Sequence, residues 1–205
     1  MEPTKLIYME NMQQLEASTV VTNVYEQDGK QIIELNETIF YPQGGGQPYD
    51  LGTIKSDSVT FEVEEVRFVD GIVKHIGTFT EGSFKVGEEV NLQVDSDRRL
   101  LNARLHSAGH VVDMAIYKLG LDWQPGKGYH FPDGPYVEYD GVISELIDRD
   151  GLARSIESHA NEFIRQSIPT SIQFMPKSEM HKFCRNVPEY IPEGKPARVV
   201  LYGDF

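Results

Sequence analysis

The spacing of two histidines, His106 and His110, is the feature of this sequence that most directly suggests chemistry. They lie in the stretch DRRLLNARLHSAGHVVDMAIYKL, and helical residues four positions apart rise from one face about one turn apart. Two imidazoles in that geometry can bind one metal ion. Ser107 follows the first histidine where metalloprotease helices carry a glutamate base, so the motif does not indicate that class of protease.

A metal site usually needs three or four protein ligands, so the histidine pair alone is incomplete. Residues that could complete it are His130, His159, His181 and Cys184. Each also has a plainer interpretation, because a lone cysteine is usually a buried small hydrophobe and His159 suits a helix surface. Chance spacing of two histidines is the other alternative, and the sequence leaves it open.

The histidine pair needs a helix to present it, and the apolar periodicity predicts one from Asp97 to Leu119. Apolar residues recur there at spacings of three and four, at Leu101, Leu105, Ala108, Val112, Ala115 and Leu119. Ser96 or Asp97 is expected to cap the start, and Gly120 follows the end.

A second candidate site is the glycine-rich stretch FYPQGGGQPYDLGTI, residues 40–54. Three consecutive glycines, Gly44, Gly45 and Gly46, cost more backbone entropy than a simple hairpin turn requires. Residues without Cβ let the backbone approach a ligand closely, and Gln47 adds a hydrogen-bond donor and acceptor. The loop is therefore a candidate substrate-binding element, with a purely structural turn as the alternative.

The chain is expected to have an α+β fold in two parts. Residues 1–94 alternate β-branched and aromatic residues at period two between turn signals, which predicts a small antiparallel β-barrel. Residues 95–205 combine the histidine helix, a hairpin turning at Asp133–Gly134, a second helix before Pro169 and two further strands. This order predicts a two-layer α+β domain in which helices cover a sheet.

Composition limits the partners. A net charge of −13 argues against binding to nucleic acid through long-range attraction, so any RNA contact must be local. Arg98, Arg99 and Arg104 cluster at the start of the histidine helix and could meet phosphate, or could pair with nearby acidic residues. No apolar run approaches the length of a membrane span and no signal peptide is evident, so a cytoplasmic protein without a membrane partner is expected.

The order of three stretches brings a family into view: the glycine-rich loop, then DSDRRLLNARLHSAGHVVDMAI, then KPARVVLYGDF. Over nearly all of its length the chain resembles the editing module of alanyl-tRNA synthetase, and most closely the free-standing AlaX-type alanyl-tRNA editing proteins. A lone GGGQ or HxxxH would be weak evidence. Both at this separation, with two arginines upstream of the histidines, are specific.

The resemblance implies a zinc-dependent aminoacyl-tRNA deacylase that acts in trans. Such proteins hydrolyse the ester between a wrong amino acid, chiefly serine and in some cases glycine, and the terminal adenosine of tRNA(Ala). His106 and His110 match the first half of the family's zinc site. Gly44 to Gln47 are implied to lie near the editing pocket, and His130 in GKGYHF is a further candidate for substrate binding. The catalytic residue itself is not identified.

One departure from the family concerns its second zinc-ligand pair, a Cys-x-x-x-His that follows a strand like ARVVLYGDF. The sequence ends at Phe205, and Cys184 does not match because Pro188 stands at the fourth place after it. We therefore expect the second domain to be truncated, with the remaining ligands beyond Phe205. A substitute shell with Cys184 or His181 is the alternative.

Two other functions stay open at this stage. The chain could be a non-catalytic module that binds aminoacyl-tRNA, or a fragment of a larger synthetase-like protein. It could also be a metal-dependent hydrolase of small esters, which would need a third ligand within the 205 residues. No ATP-binding P-loop is present in the sequence.

Overall fold

The computed structural model describes residues 2–142, 148–184, 187, 189, 191, 194 and 196–203. It has the expected α+β fold, with a β-barrel in the N-terminal half followed by helices and further strands. The chain divides into two compact units. Unit 1 comprises residues 1–109 and 125–139, and unit 2 comprises residues 110–124 and 140–205. The sequence predicts two domains that meet near residue 94, and this domain boundary remains a prediction.

Six antiparallel strands close the barrel of unit 1. They are β2 Glu16–Gln27, β3 Lys30–Leu35, β5 Gly52–Lys55, β6 Thr60–Val69, β7 Ile72–Phe79 and β8 Glu89–Val94. Their order around the barrel is β2-β3-β7-β6-β5-β8. Outside the barrel, β1 Lys5–Leu6 pairs in parallel with β4 Glu37–Thr38, and a one-turn helix α1, Ile7–Glu10, follows β1. Closure leaves the barrel strands without an unpaired edge.

The barrel core follows from the period-two pattern of its strands. In β8, inward residues alternate with exposed ones through Val90, Leu92 and Val94. In β6 the alternation shifts at a bulge near Val63, after which Val66 faces the core. The other fully buried core residues include Ile33, Ile39, Phe40, Ile54, Phe61 and Val73.

Helix α2, Ser96–Lys118, is the predicted histidine helix. Its first fourteen residues belong to unit 1 and its remainder to unit 2. The cap differs from the prediction: Asp95 Oδ1 accepts the Arg98 N–H at 3.0 Å, and the Asp95 carbonyl accepts the Arg99 N–H. Asp95 therefore caps this helix, because its carboxylate reaches a backbone donor of the first turn.

Beyond α2, a hairpin pairs β9 Gln124–Tyr129 with β10 Tyr136–Asp140, as the Asp133–Gly134 signal predicts. In unit 2, helix α3 spans Arg149–Arg165, and β11 Thr170–Pro176 pairs antiparallel with β12 Pro196–Tyr202. A 3₁₀ helix, Lys177–Lys182, follows β11. A small core is buried there, formed by Met175, Met180, Ala197 and Val199.

Within the described ranges, no helix combines the length and apolar character that crossing a membrane would require.

Candidate functional site

The glycine-rich loop forms a tight turn. Gly44 and Gln47 exchange backbone hydrogen bonds of 3.2 and 3.0 Å, and the two residues between them have positive φ angles, +56° at Gly45 and +75° at Gly46. Two central residues with positive φ define a type I′ turn, a conformation in which glycine lacks the steric cost of a side chain. This accounts for two of the three consecutive glycines.

Gly46 also allows the loop to approach the β9 end of the hairpin closely. A Cβ at this position would lie 2.2 Å from the Gly128 carbonyl oxygen, which is a collision. The Gly46 carbonyl instead accepts the His130 N–H at 2.8 Å. The absence of a side chain at Gly46 therefore fixes the glycine turn directly against the backbone that carries His130.

Gln47 joins the turn to the histidine helix. Its side chain is 6% exposed, and the His106 Nδ1–H donates to its Oε1 at 2.9 Å. Gly45 lies beside the same ring, since a Cβ there would be 3.7 Å from His106 Cε1. With the proton on Nδ1, the Nε2 of His106 carries the lone pair. The glutamine thus selects the tautomer whose Nε2 can act as a ligand or base.

His130 packs against His106. The two rings are stacked with centroids 4.6 Å apart and an angle of 14° between their planes. His130 is 6% exposed and occupies a slot between two glycines, because a Cβ at Gly109 would lie 2.7 Å from its Cε1 and one at Gly128 would lie 2.6 Å from its Nε2. The structure therefore brings together Gly45, Gly46, Gln47, His106 and His130 within unit 1.

His110, the second histidine of the pair, belongs to unit 2. Its side chain is half exposed, and its Nδ1–H donates to Asp113 Oδ2 at 3.3 Å, one turn along the helix. The Tyr202 ring lies 5.7 Å away, measured between centroids. As at His106, an oxygen acceptor at Nδ1 places the lone pair on Nε2.

The other candidate metal ligands are dispersed in unit 2. His159 Nδ1–H donates to Glu162 Oε2 at 3.4 Å on α3, and His181 is exposed on the 3₁₀ helix. Cys184 packs at the edge of the small core, where burial raises the pKa of its thiol. Among the described residues, no group of three or more histidine, cysteine, aspartate or glutamate side chains converges as a metal site.

Arg99 has a different environment from the one expected of an RNA-binding residue. It is 4% exposed and makes a bidentate ion pair with Asp50, which is fully buried. Its remaining donors reach the carbonyls of Met12 and Ile39, both at 2.6 Å. Asp50 in turn accepts the Tyr41 N–H at 2.6 Å, so this pair ties both ends of the glycine-rich segment to α2.

The other two predicted RNA-binding arginines are accessible. Arg104 is exposed, and no acceptor for it is found in the part of the chain that the structure describes. Arg98 is partly exposed, and its Nε donates to the Tyr49 carbonyl at 3.0 Å. Unlike Arg99, both residues are therefore at least partly exposed to solvent.

Sequence reasoning missed three contributors to this cluster. Gly109 and Gly128 form the slot for His130, and Asp50 anchors Arg99. The signal for Gly109 was present in the sequence, because a glycine between two helical histidines is otherwise costly in a helix interior. An open groove of about 400 Å³ on the outer face of β2, β5 and β8 contains none of the predicted site residues.

Comparison with known proteins relates this chain to a tRNA synthetase. Residues 4–98 match the family described as class II (A) tRNA synthetases. Over 205 aligned residues the chain is 32% identical to an alanine–tRNA ligase of Haloquadratum walsbyi, which covers 98% of this chain. The chain is homologous to a region of alanine–tRNA ligase. It spans 22% of that Haloquadratum protein.

Further alanine–tRNA ligases give the same result. The enzyme of Caldivirga maquilingensis is 34% identical over 180 residues, covering 86% of this chain and 19% of the ligase. That of Methanosarcina barkeri is 32% identical over 213 residues, covering 98% of this chain and 22% of the ligase. The homology therefore extends through both units, well past residue 98.

Proposed function

We propose that this chain hydrolyses mischarged aminoacyl-tRNA(Ala), chiefly seryl-tRNA(Ala), and so acts as an editing deacylase related to alanine–tRNA ligase. In this reaction water adds to the ester carbonyl and the bond between the acyl carbon and the ribose oxygen breaks. The products are free serine and tRNA with a free terminal hydroxyl. An ester is already activated relative to an amide, so the main tasks are positioning water and selecting the amino acid.

The observation that carries the proposal is the contact between Gln47 Oε1 and His106 Nδ1 at 2.9 Å. It links the two motifs of the sequence that could do chemistry, which are 59 residues apart. The stacked His130 ring limits rotation of His106. A histidine whose tautomer and ring plane are both fixed is preorganised to bind a metal ion or a water molecule.

Zinc suits these histidines. Both His106 and His110 direct Nδ1–H toward an oxygen acceptor, Gln47 and Asp113 respectively. Metal-binding imidazoles typically donate the proton of their other ring nitrogen to an oxygen in this way, which orients the ring. We propose that the two hold zinc together with further ligands from outside the described residues. When bound, the ion would supply Lewis-acid chemistry, by polarising a carbonyl or lowering the pKa of a water.

Serine can be distinguished from alanine by its hydroxyl group. A pocket that hydrogen-bonds this hydroxyl leaves its own polar groups unsatisfied when alanine is bound, which disfavours the correct amino acid. Gln47 and His130 are the proposed pocket residues, because both are buried polar side chains at the glycine turn. Glycine as a second substrate would be selected by size alone.

The homology supports a second candidate function. Since the chain spans only about a fifth of its ligase relatives, it could bind aminoacyl-tRNA without hydrolysing it. The two functions differ in whether the isolated chain releases serine from seryl-tRNA(Ala).

The test is a deacylation assay with seryl-tRNA(Ala). We expect His106→Ala to reduce the rate by a factor of about 10 to 100 or more, since a proposed ligand and its ordered contacts are lost. His159→Ala is the matched control, because His159 also faces a carboxylate one helical turn away but lies on α3. Zinc content by elemental analysis should fall for the first variant and stay unchanged for the second.

Equal rates for wild type, His106→Ala and His159→Ala would contradict the proposed site. Tight binding of seryl-tRNA(Ala) by wild type with no release of serine would instead favour the binding module.

A further inference from the structure

A second cluster of unit 1 has no role in the chemistry of the proposed deacylation. We call Tyr49, Arg67 and Arg98 the arginine–tyrosine patch. The Cζ atoms of Arg67 and Arg98 lie 5.7 and 5.5 Å from the centroid of the Tyr49 ring. The two arginines come from distant parts of the sequence, β6 and α2, and meet at a single aromatic ring. Guanidinium groups at this distance are attracted to the ring and held by it.

Each of the two arginines is anchored by a hydrogen bond from its own Nε atom. Arg98 Nε donates to the Tyr49 carbonyl at 3.0 Å, and Arg67 Nε donates to Glu65 Oε1 at 2.6 Å. Neither arginine uses a terminal Nη group in a hydrogen bond within the described part of the chain. The Arg67 side chain is 41% exposed. Two oriented guanidinium groups therefore keep their terminal donors for a ligand.

The surroundings of the patch favour an anion. Glu65 accepts hydrogen bonds from both Arg67 and Lys30, which lower its pKa, so it stays ionised but is shared between two cations. Lys74 lies directly opposite Arg67 on β7, and its Nζ donates to the neutral Gln27 amide at 3.5 Å. Two further carboxylates, Asp95 and Glu34, accept hydrogen bonds from neutral donors, the Arg98 backbone N–H and the Tyr25 hydroxyl.

We propose that the arginine–tyrosine patch binds backbone phosphates of the 3′ strand of tRNA. Arginine forks match the oxygens of a phosphate, and the cation–π contact with Tyr49 reduces the conformational freedom lost on binding. In a chain of net charge −13, such a patch provides the local contact that RNA binding requires. This inference rests on the proposed function for the identity of the RNA.

The position of the patch fits that ligand. Tyr49 follows Gln47 by two residues, and Arg98 precedes His106 by eight residues of α2, or about 12 Å along the helix. An RNA strand whose terminal adenosine lies at Gln47 and His106 would pass the patch within a few nucleotides. The patch would then hold the strand in register while the ester is at the candidate site.

The first test measures binding of uncharged tRNA(Ala) by fluorescence anisotropy over a range of salt concentrations. We expect Arg67→Gln and Arg98→Gln each to weaken binding by a factor of roughly three to ten and to lower the slope of log K against log salt by about one. Arg154→Gln is the matched control, because it removes the same charge from an exposed position of α3. Arg67→Lys keeps the charge but loses the fork, so it should retain the salt slope and still bind more weakly than wild type.

The second test separates this inference from the proposed function. With seryl-adenosine, which lacks the upstream phosphates, both glutamine variants should hydrolyse the ester at the wild-type rate, whereas with seryl-tRNA(Ala) their KM should rise. If wild type hydrolyses neither substrate, the proposed function fails while the binding measurement still tests the patch. If both glutamine variants bind tRNA(Ala) with the affinity and salt slope of Arg154→Gln, the patch is not an RNA site.

Discussion

The two units of this molecule hold their polar side chains in different ways. In unit 1 four polar side chains around the candidate site are buried: Asp50 is 0% exposed, Arg99 4%, and Gln47 and His130 6% each. In unit 2 the corresponding groups are more open, since the side chains of His110 and His159 are 48% and 31% exposed. Both of these histidines have a carboxylate neighbour three residues away on the same helix.

This difference in burial indicates which polar side chains are held in a fixed geometry. A buried polar group that loses its partner costs far more than an exposed one, so the Arg99–Asp50 pair of unit 1 favours one arrangement strongly. Exposed ion pairs within one helix contribute little and exchange readily with water. We therefore expect the chemistry to be preorganised at His106 and less so at His110.

Breaking the buried ion pair should have the largest effect. Arg99→Ala leaves Asp50 buried without its partner, and we expect the free energy of unfolding to fall by about 3–5 kcal/mol. The comparison is Arg154→Ala in unit 2, where the pair with Asp148 is exposed and a loss under about 1 kcal/mol is expected. Urea denaturation measures both. Similar decreases in the free energy of unfolding for the two variants would contradict the claim that unit 1 depends more strongly on its buried ion pair than unit 2 does on its exposed one.

The free energy of unfolding should depend on pH through the buried His75 of unit 1, and His159 of unit 2 serves as the comparison. Burial lowers the pKa of His75 to about 4, and this effect outweighs the hydrogen bond to the Ile33 carbonyl, which acts in the opposite direction. The other ring nitrogen contacts the Thr38 hydroxyl. Between pH 6.5 and 4 the unfolded state binds the extra proton, so stability should fall as the pH falls, by up to about 3 kcal/mol.

The measurement is the free energy of unfolding against pH for wild type, His75→Gln and His159→Gln. The first variant should lose this part of the slope, and the second should retain it because it keeps the buried His75. Retention of the full slope by His75→Gln would show that another group is responsible.

Gly46→Ala should have a smaller effect on stability and a large one on the site. Alanine at a φ of +75° costs about 1–2 kcal/mol, and its Cβ would also collide with the Gly128 carbonyl. We expect seryl-tRNA(Ala) deacylation to fall as the turn moves away from His130. Gly120→Ala in unit 2 has a similar φ of +69° with open space, and Gly44→Ala has neither strain nor collision. A Gly46→Ala variant with the wild-type deacylation rate would show that the position of the glycine turn is not needed for the reaction.

Most of the fold was accessible from the sequence, because two simple periodicities dominate it. The three- and four-residue spacing predicted a helix from Asp97 to Leu119, and α2 spans Ser96–Lys118. Alternation predicted the barrel strands, but not the bulge in β6, where the inward positions change from Val63 to Val66. A bulge inserts one residue, so a strict two-residue period cannot locate it.

The candidate site was predictable in part. The glycine loop and the histidine helix were each visible as motifs, whereas their contact through Gln47 depends on how the barrel places them. Arg99 looked like an exposed cation, because its partner Asp50 lies 49 residues away in the sequence. The contact of Arg67 and Arg98 with the Tyr49 ring was equally hidden, since it joins β6 to α2. Contacts of long sequence separation leave no local signal.

The most direct test of the account is the rate of seryl-tRNA(Ala) deacylation by Gln47→Ala, measured beside Gln43→Ala. Gln43 is an exposed glutamine of the same segment, so its loss should leave the rate unchanged. Loss of Gln47 removes the acceptor that fixes His106, and the rate should fall by a factor of about 10 to 100. A Gln47→Ala variant that is as active as Gln43→Ala would contradict the claim that the glycine turn and the histidine helix form one catalytic site.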